Sequence, residues 1–87
     1  MMLFLSKGAG CPHCMLIESS VDLSKIKGLT LRYIPLTNVL EDEDDVDALA
    51  DADFFDIQTA PTLIDDGMEV IDTFEIIKLL KEASDGA

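Results

Sequence analysis

The sequence predicts an α/β protein of 87 residues with the element order β-α-β-α-β-β-α. Three observations carry this. A short apolar run breaks at glycines and passes into helical spacing. After the next glycine, apolar and polar residues alternate. Further on, two strand-like stretches flank Asp65-Asp66-Gly67, ahead of a last amphipathic segment.

Met2 to Lys7 reads as a buried strand, and Gly8-Ala9-Gly10 breaks it into a loop. Cys11 then takes the N-cap position, with Pro12 at the first helical position, where its fixed φ suits the helix and its missing N–H costs nothing. From Pro12 to about Asp22, Cys14, Ile17 and Val21 follow helical spacing and should face the core. Gly28 ends the connection. Leu29 to Leu36 alternates apolar and polar residues with β-branched and aromatic side chains, so it reads as a second strand closed by Pro35. Such a βαβ unit should have parallel strands and a right-handed crossover.

Glu41 to Asp53 is the most acidic run in the chain. Val46, Leu49 and Ala50 lie at i, i+3 and i+4, and Asn38 with Glu41 resembles a cap, so a short acidic helix with those apolar residues on one face is predicted. Phe54-Phe55-Asp56-Ile57 should anchor it, and Gln58 to Pro61 form a loop. Thr62-Leu63-Ile64 and Met68-Glu69-Val70-Ile71 read as a hairpin. Asp72 and Glu75 bracket the start of a last helix with Phe74, Ile77 and Leu80 on one face, running to about Ala83 and leaving Ser84 to Ala87 as a frayed tail.

Composition bounds the function. A chain of this size encloses one modest core, so residues 1–87 are expected to form a single domain. Six Lys and Arg against eighteen Asp and Glu give a formal charge of -12, which opposes binding to nucleic acid or an anionic membrane surface and favours neutral or basic partners. The opening apolar residues end at Ser6-Lys7, short of a signal peptide, and no stretch approaches a membrane span. Two cysteines within one motif suggest a cytoplasmic protein with a transient disulfide.

That motif is Cys11-Pro12-His13-Cys14. A thiol at a helix N-terminus meets unpaired N–H groups and the positive end of the helix dipole, both of which favour a thiolate. Two sulfurs three residues apart can close on each other, but so small a loop adds little chain-entropy stabilisation, so electron exchange is the better reading than a staple.

The element order, the Cys11-Pro12-His13-Cys14 motif after the first strand and Thr59-Ala60-Pro61 before the third resemble the thioredoxin superfamily, and the short length looks like its glutaredoxin branch. The likeness runs from Met2 to about Ala83. It implies a four-stranded mixed sheet flanked by helices, and a dithiol–disulfide oxidoreductase that reduces protein disulfides as a monomer without a bound cofactor. Carried over by residue, Cys11 is the nucleophile and Cys14 the resolving thiol. Pro61 should follow a cis bond, and Ala60 should offer its backbone to an extended substrate. Flanked by the cysteines, His13 either stabilises the Cys11 thiolate or points to solvent.

The resemblance leaves the electron donor open between glutathione and a reductase such as thioredoxin reductase. The family usually has Tyr or Phe where this chain has His13, and many glutaredoxins carry Gly-Gly where it has Ile71-Asp72-Thr73. Lys7 and Asp72 are the candidate contacts to glutathione, although Asp72 also suits a helix cap. Two other readings stand beside this one. Cys11, Cys14 and His13 are too few for a tetrahedral metal site within one chain, and no metal is expected there; the alternative is an iron–sulfur cluster shared between two copies, each giving Cys11 with glutathione as co-ligand, as in some glutaredoxin-like proteins. Alternatively, the acidic segment 41–53 serves a non-enzymatic interaction module with a basic partner.

Overall fold

The structure is a computed structural model that describes residues 1–7, 11–35, 40 and 42–85. Its elements are β1 (Met2–Ser6), α1 (Pro12–Ser20), a 3₁₀ turn (Leu23–Lys25), β2 (Thr30–Ile34), α2 (Glu43–Phe54), β3 (Thr62–Asp65), β4 (Met68–Val70) and α3 (Thr73–Asp85). The four strands form one mixed sheet in the order β2-β1-β3-β4. Parallel pairing of β1 with β2 sets Met2 opposite Thr30 and Ser6 opposite Ile34. On its other side β1 pairs antiparallel with β3, which pairs antiparallel with β4.

The apolar run Leu3-Phe4-Leu5 is continuous because β1 is interior to the sheet and covered on both faces. Alternation along the strand sends Leu3 and Leu5 into a core with Cys14, Ile17, Leu63, Ile76 and Leu80, where α1 and α3 pack. Phe4 points the other way, to Ala52 and Ile64, with Ile34, Phe55 and Ile57 around them. Phe55 meets Phe4 edge-on at 6.2 Å between centroids. The hairpin turns at Asp66 and Gly67 with φ of 51° and 82°, the pair of positive values that a two-residue type I′ turn needs.

Several boundaries differ from expectation. The first helix stops at Ser20, where Val21 caps it with an N–H to the Ile17 carbonyl at 3.1 Å, yet Cys14, Ile17 and Val21 are buried as the spacing predicts. The last helix continues through Ser84 to Asp85 in place of a tail fraying from Ser84. The expected cap of Asn38 with Glu41 lies outside the described residues, as do Gly8-Ala9-Gly10, Leu36 and the last two residues. Asp42 caps α2, accepting the Asp45 N–H at 3.1 Å.

Larger corrections concern which faces are buried. The acidic helix does not turn Val46, Leu49 and Ala50 inward. It buries Asp45, Ala48 and Ala52. Two small residues let the helix lie close on the sheet, and the Lys7 ammonium meets the Asp45 carboxylate at 2.8 Å, which makes that buried charge tolerable. Phe54 is 80% exposed, so of the expected apolar anchors Phe55 and Ile57 are the ones that pack at the end of α2. There Asp56 adopts φ 55°, its N–H reaches Asp53 at 3.2 Å and the Ile57 N–H reaches Ala52 at 2.8 Å, a Schellman ending with Ile57 packed back onto the helix. In α3, Ile76 and Leu80 take the buried face and Ile77 is half-buried, while Phe74 is 73% exposed. No helix among the described residues is long and apolar enough to cross a membrane.

Candidate functional site

Cys11 sits at the N-cap of α1 in extended conformation, and its sulfur accepts the Cys14 N–H at 3.2 Å. Pro12 occupies the first turn, so one of the orphan N–H groups of the helix start is absent and another is taken by sulfur. The two cysteines are joined by a disulfide, with Cα atoms 5.2 Å apart. Their environments differ. Cys14 is 3% exposed and belongs to the α1/α3 core, with the Ser6 N–H at the end of β1 directed at its sulfur from 3.5 Å. Cys11 is only half-buried. A reducing thiolate therefore has access to the Cys11 sulfur, while the departing electron pair falls on a sulfur that already receives an N–H.

Across from Cys11 lies the 59–62 segment. The Ala60 carbonyl oxygen is 4.0 Å from the Cys11 sulfur, and the Ala60–Pro61 peptide bond is cis, the isomer that the resemblance implies. Pro61 is buried, and the fully buried Thr62 hydroxyl donates to the Thr59 carbonyl at 2.6 Å, which pins the bend from inside. Register does the rest: Thr62 pairs with Phe4 in the sheet, so the bend that precedes it is carried to the end of β1 from which Cys11 departs.

A cleft of about 380 Å³ is lined by Thr59, Ala60 and Pro61, by His13, and by Ile71, Asp72, Thr73 and Phe74 at the start of α3, and the Cys11 sulfur approaches it through its contact with Ala60. His13 is exposed, and its Nδ1 lies 3.1 Å from the Thr73 hydroxyl, so its ring spans the N-termini of α1 and α3. Asp72 accepts the Glu75 N–H at 3.0 Å, so it caps α3 and lines the cleft at once. Lys7 is half-buried, and its ammonium goes to Asp45 rather than to this cleft.

The structure thus brings His13, Thr59, Ala60, Pro61 and Asp72 to one cleft, sets Cys11 against its Ala60 with Pro12 and Cys14 following in α1, and pairs Lys7 with Asp45 instead. Sequence reasoning missed Thr73, Ile71, Phe74 and Thr62 as neighbours of the site. For Ile71 and Phe74 a signal existed: two apolar residues three apart at a helix start, one of them before the cap. For Thr73 none did, since its partner is sixty residues away.

The fold and site define a small α/β protein with a redox-capable C-x-x-C disulfide at a helix N-terminus. No family model matches the chain, and neither a curated protein nor a solved structure does.

Proposed function

We propose that this protein is a dithiol–disulfide oxidoreductase of thioredoxin-like fold, glutaredoxin-like in size, that passes two electrons to protein disulfides. The observation that carries this reading is the Cys11–Cys14 disulfide, one sulfur accessible at a helix N-terminus and the other in the core, beside the cis Ala60–Pro61 bend. In the reduced form the Cys11 thiolate keeps the Cys14 N–H and the helix dipole as its stabilisers. It attacks a sulfur of the target disulfide, forming a Cys11–target bond as the target S–S bond breaks and its other sulfur leaves as thiolate. The Cys14 thiolate then attacks the Cys11 sulfur, closes the intramolecular disulfide and expels the second target sulfur, which takes up a proton. Two electrons reach the target, and its two thiolates are protonated by the proton that Cys14 releases and by one from solvent.

An extended target strand fits the cleft wall at Thr59-Ala60-Pro61, where the Ala60 backbone faces Cys11. The electron donor is a thiol or a reductase. Among the lining residues stand Asp72 and no Lys or Arg, and the Lys7 ammonium is engaged by Asp45, so electrostatics favour a protein reductase over anionic glutathione. A cytoplasmic monomer is the setting that agrees with transient use of this disulfide.

Turnover of insulin disulfides with either thioredoxin reductase and NADPH or glutathione and its reductase tests this. Activity with the first system, lost in Cys11→Ser, is expected, as is a mixed disulfide trapped by Cys14→Ser. An oxidised protein that neither donor reduces would sink the proposal.

A further inference from the structure

We propose that the outward face of α2 is a docking surface for a basic amphipathic helix of a partner protein. The helix is inverted relative to an ordinary surface helix, which buries its larger apolar side chains. Here the sheet side holds Asp45, Ala48 and Ala52. The solvent side holds Val46, Ala50 and Phe54, spaced i, i+4 and i+8 and therefore aligned in one row, with Leu49 beside it. Val46 is 50% and Phe54 80% exposed, and Ala50 is exposed between them. Because Ala50 is the smallest of the three, the row dips at its centre, where one apolar side chain of an opposing helix can seat.

Charge names the occupant. Glu43, Asp44, Asp47, Asp51 and Asp53 border the row, and α2 contains no Lys or Arg. Asp51 is held by Arg32 at 2.7 Å, whereas Glu43, Asp44, Asp47 and Asp53 are exposed. An apolar row within a border of one sign is complemented by apolar anchors flanked by Lys and Arg. A second copy of this chain would set carboxylates against carboxylates and bring together two chains of charge -12. The surface covers the sheet face opposite α1 and α3, so an occupant leaves the disulfide cleft open. It stands independently of the redox reading.

The test titrates the protein into a fluorescein-labelled peptide of about 18 residues made of Leu at helical spacing and Lys elsewhere, followed by anisotropy at low salt. A scrambled peptide of the same composition is the control. Val46→Ser and Phe54→Ser leave the charge unchanged and each should weaken binding about tenfold, with the fold checked by circular dichroism. Met68→Ser, at another exposed apolar residue, should bind as the parent does. Equal binding of the scrambled peptide, indifference to both α2 variants, or self-association of the protein alone that Val46→Ser abolishes would each overturn the proposal.

Discussion

His13 and Thr73 show how a single exposed contact can bear on redox chemistry. Their 3.1 Å contact is present while the cysteines are joined. If the imidazole leaves Thr73 for the Cys11 thiolate on reduction, the contact favours the oxidised form alone, and Thr73→Val should make the disulfide more oxidising by roughly 10–20 mV, the equivalent of one exposed hydrogen bond. Equilibration against a thiol buffer measures it, and an unchanged potential would mean that the ring stays where it is. Thr62 makes a different kind of contact. Its buried hydroxyl bonds the Thr59 carbonyl, so Thr62→Val, nearly the same in shape, should cost about 1 kcal/mol in urea unfolding and lower turnover by loosening the bend beside Cys11. The cysteines, Pro12 and Pro61 were legible in the sequence because each residue type has a narrow chemical meaning. Thr62 and Thr73 were not, since a hydroxyl declares its role only through the partner it finds in space.

At the scale of elements, the four described strands and three α-helices were legible, but the 3₁₀ turn at Leu23–Lys25 and the orientation of α2 were not. Two triads there obey helical spacing, Val46-Leu49-Ala50 and Asp45-Ala48-Ala52, and hydropathy alone selects the first. The second is buried because Lys7, thirty-eight residues away, neutralises Asp45 and because alanines permit close approach to β2. Lys7→Met should therefore destabilise the protein by about 2 kcal/mol, less than a fully buried pair would lose because the lysine side chain is 37% exposed. Combining it with Asp45→Leu should recover much of that loss in a double-mutant cycle. Strict additivity of the two substitutions would contradict coupling between Lys7 and the helix.

The whole molecule is unequal across its sheet. Among the described residues, nine buried ones form the core cluster under α1 and α3, against three in the cluster under α2. Amides of α2 should accordingly exchange with deuterium faster than those of α1 and α3, in a local opening that leaves the disulfide side intact. Net charge acts on the same weak point. With -12 spread over this small body, self-repulsion opposes compactness, so raising salt from about 20 to 500 mM should lift Tm by about 5 °C. A Tm that falls with salt would mean that the Lys7–Asp45 and Arg32–Asp51 pairs outweigh the repulsion.

The placement of Cys14 within the larger core has one more consequence. Reduction and unfolding form a closed thermodynamic cycle, so the difference in unfolding free energy between oxidised and reduced protein equals the difference in reduction potential between the native and the denatured dithiol, at about 1.4 kcal/mol per 30 mV. A substitution of Ile17 or Leu80, fully buried in that core, that packs differently around a bonded and an unbonded Cys14 sulfur must retune the couple. The core beneath the cleft is thus part of the electrochemistry of this protein as well as its scaffold.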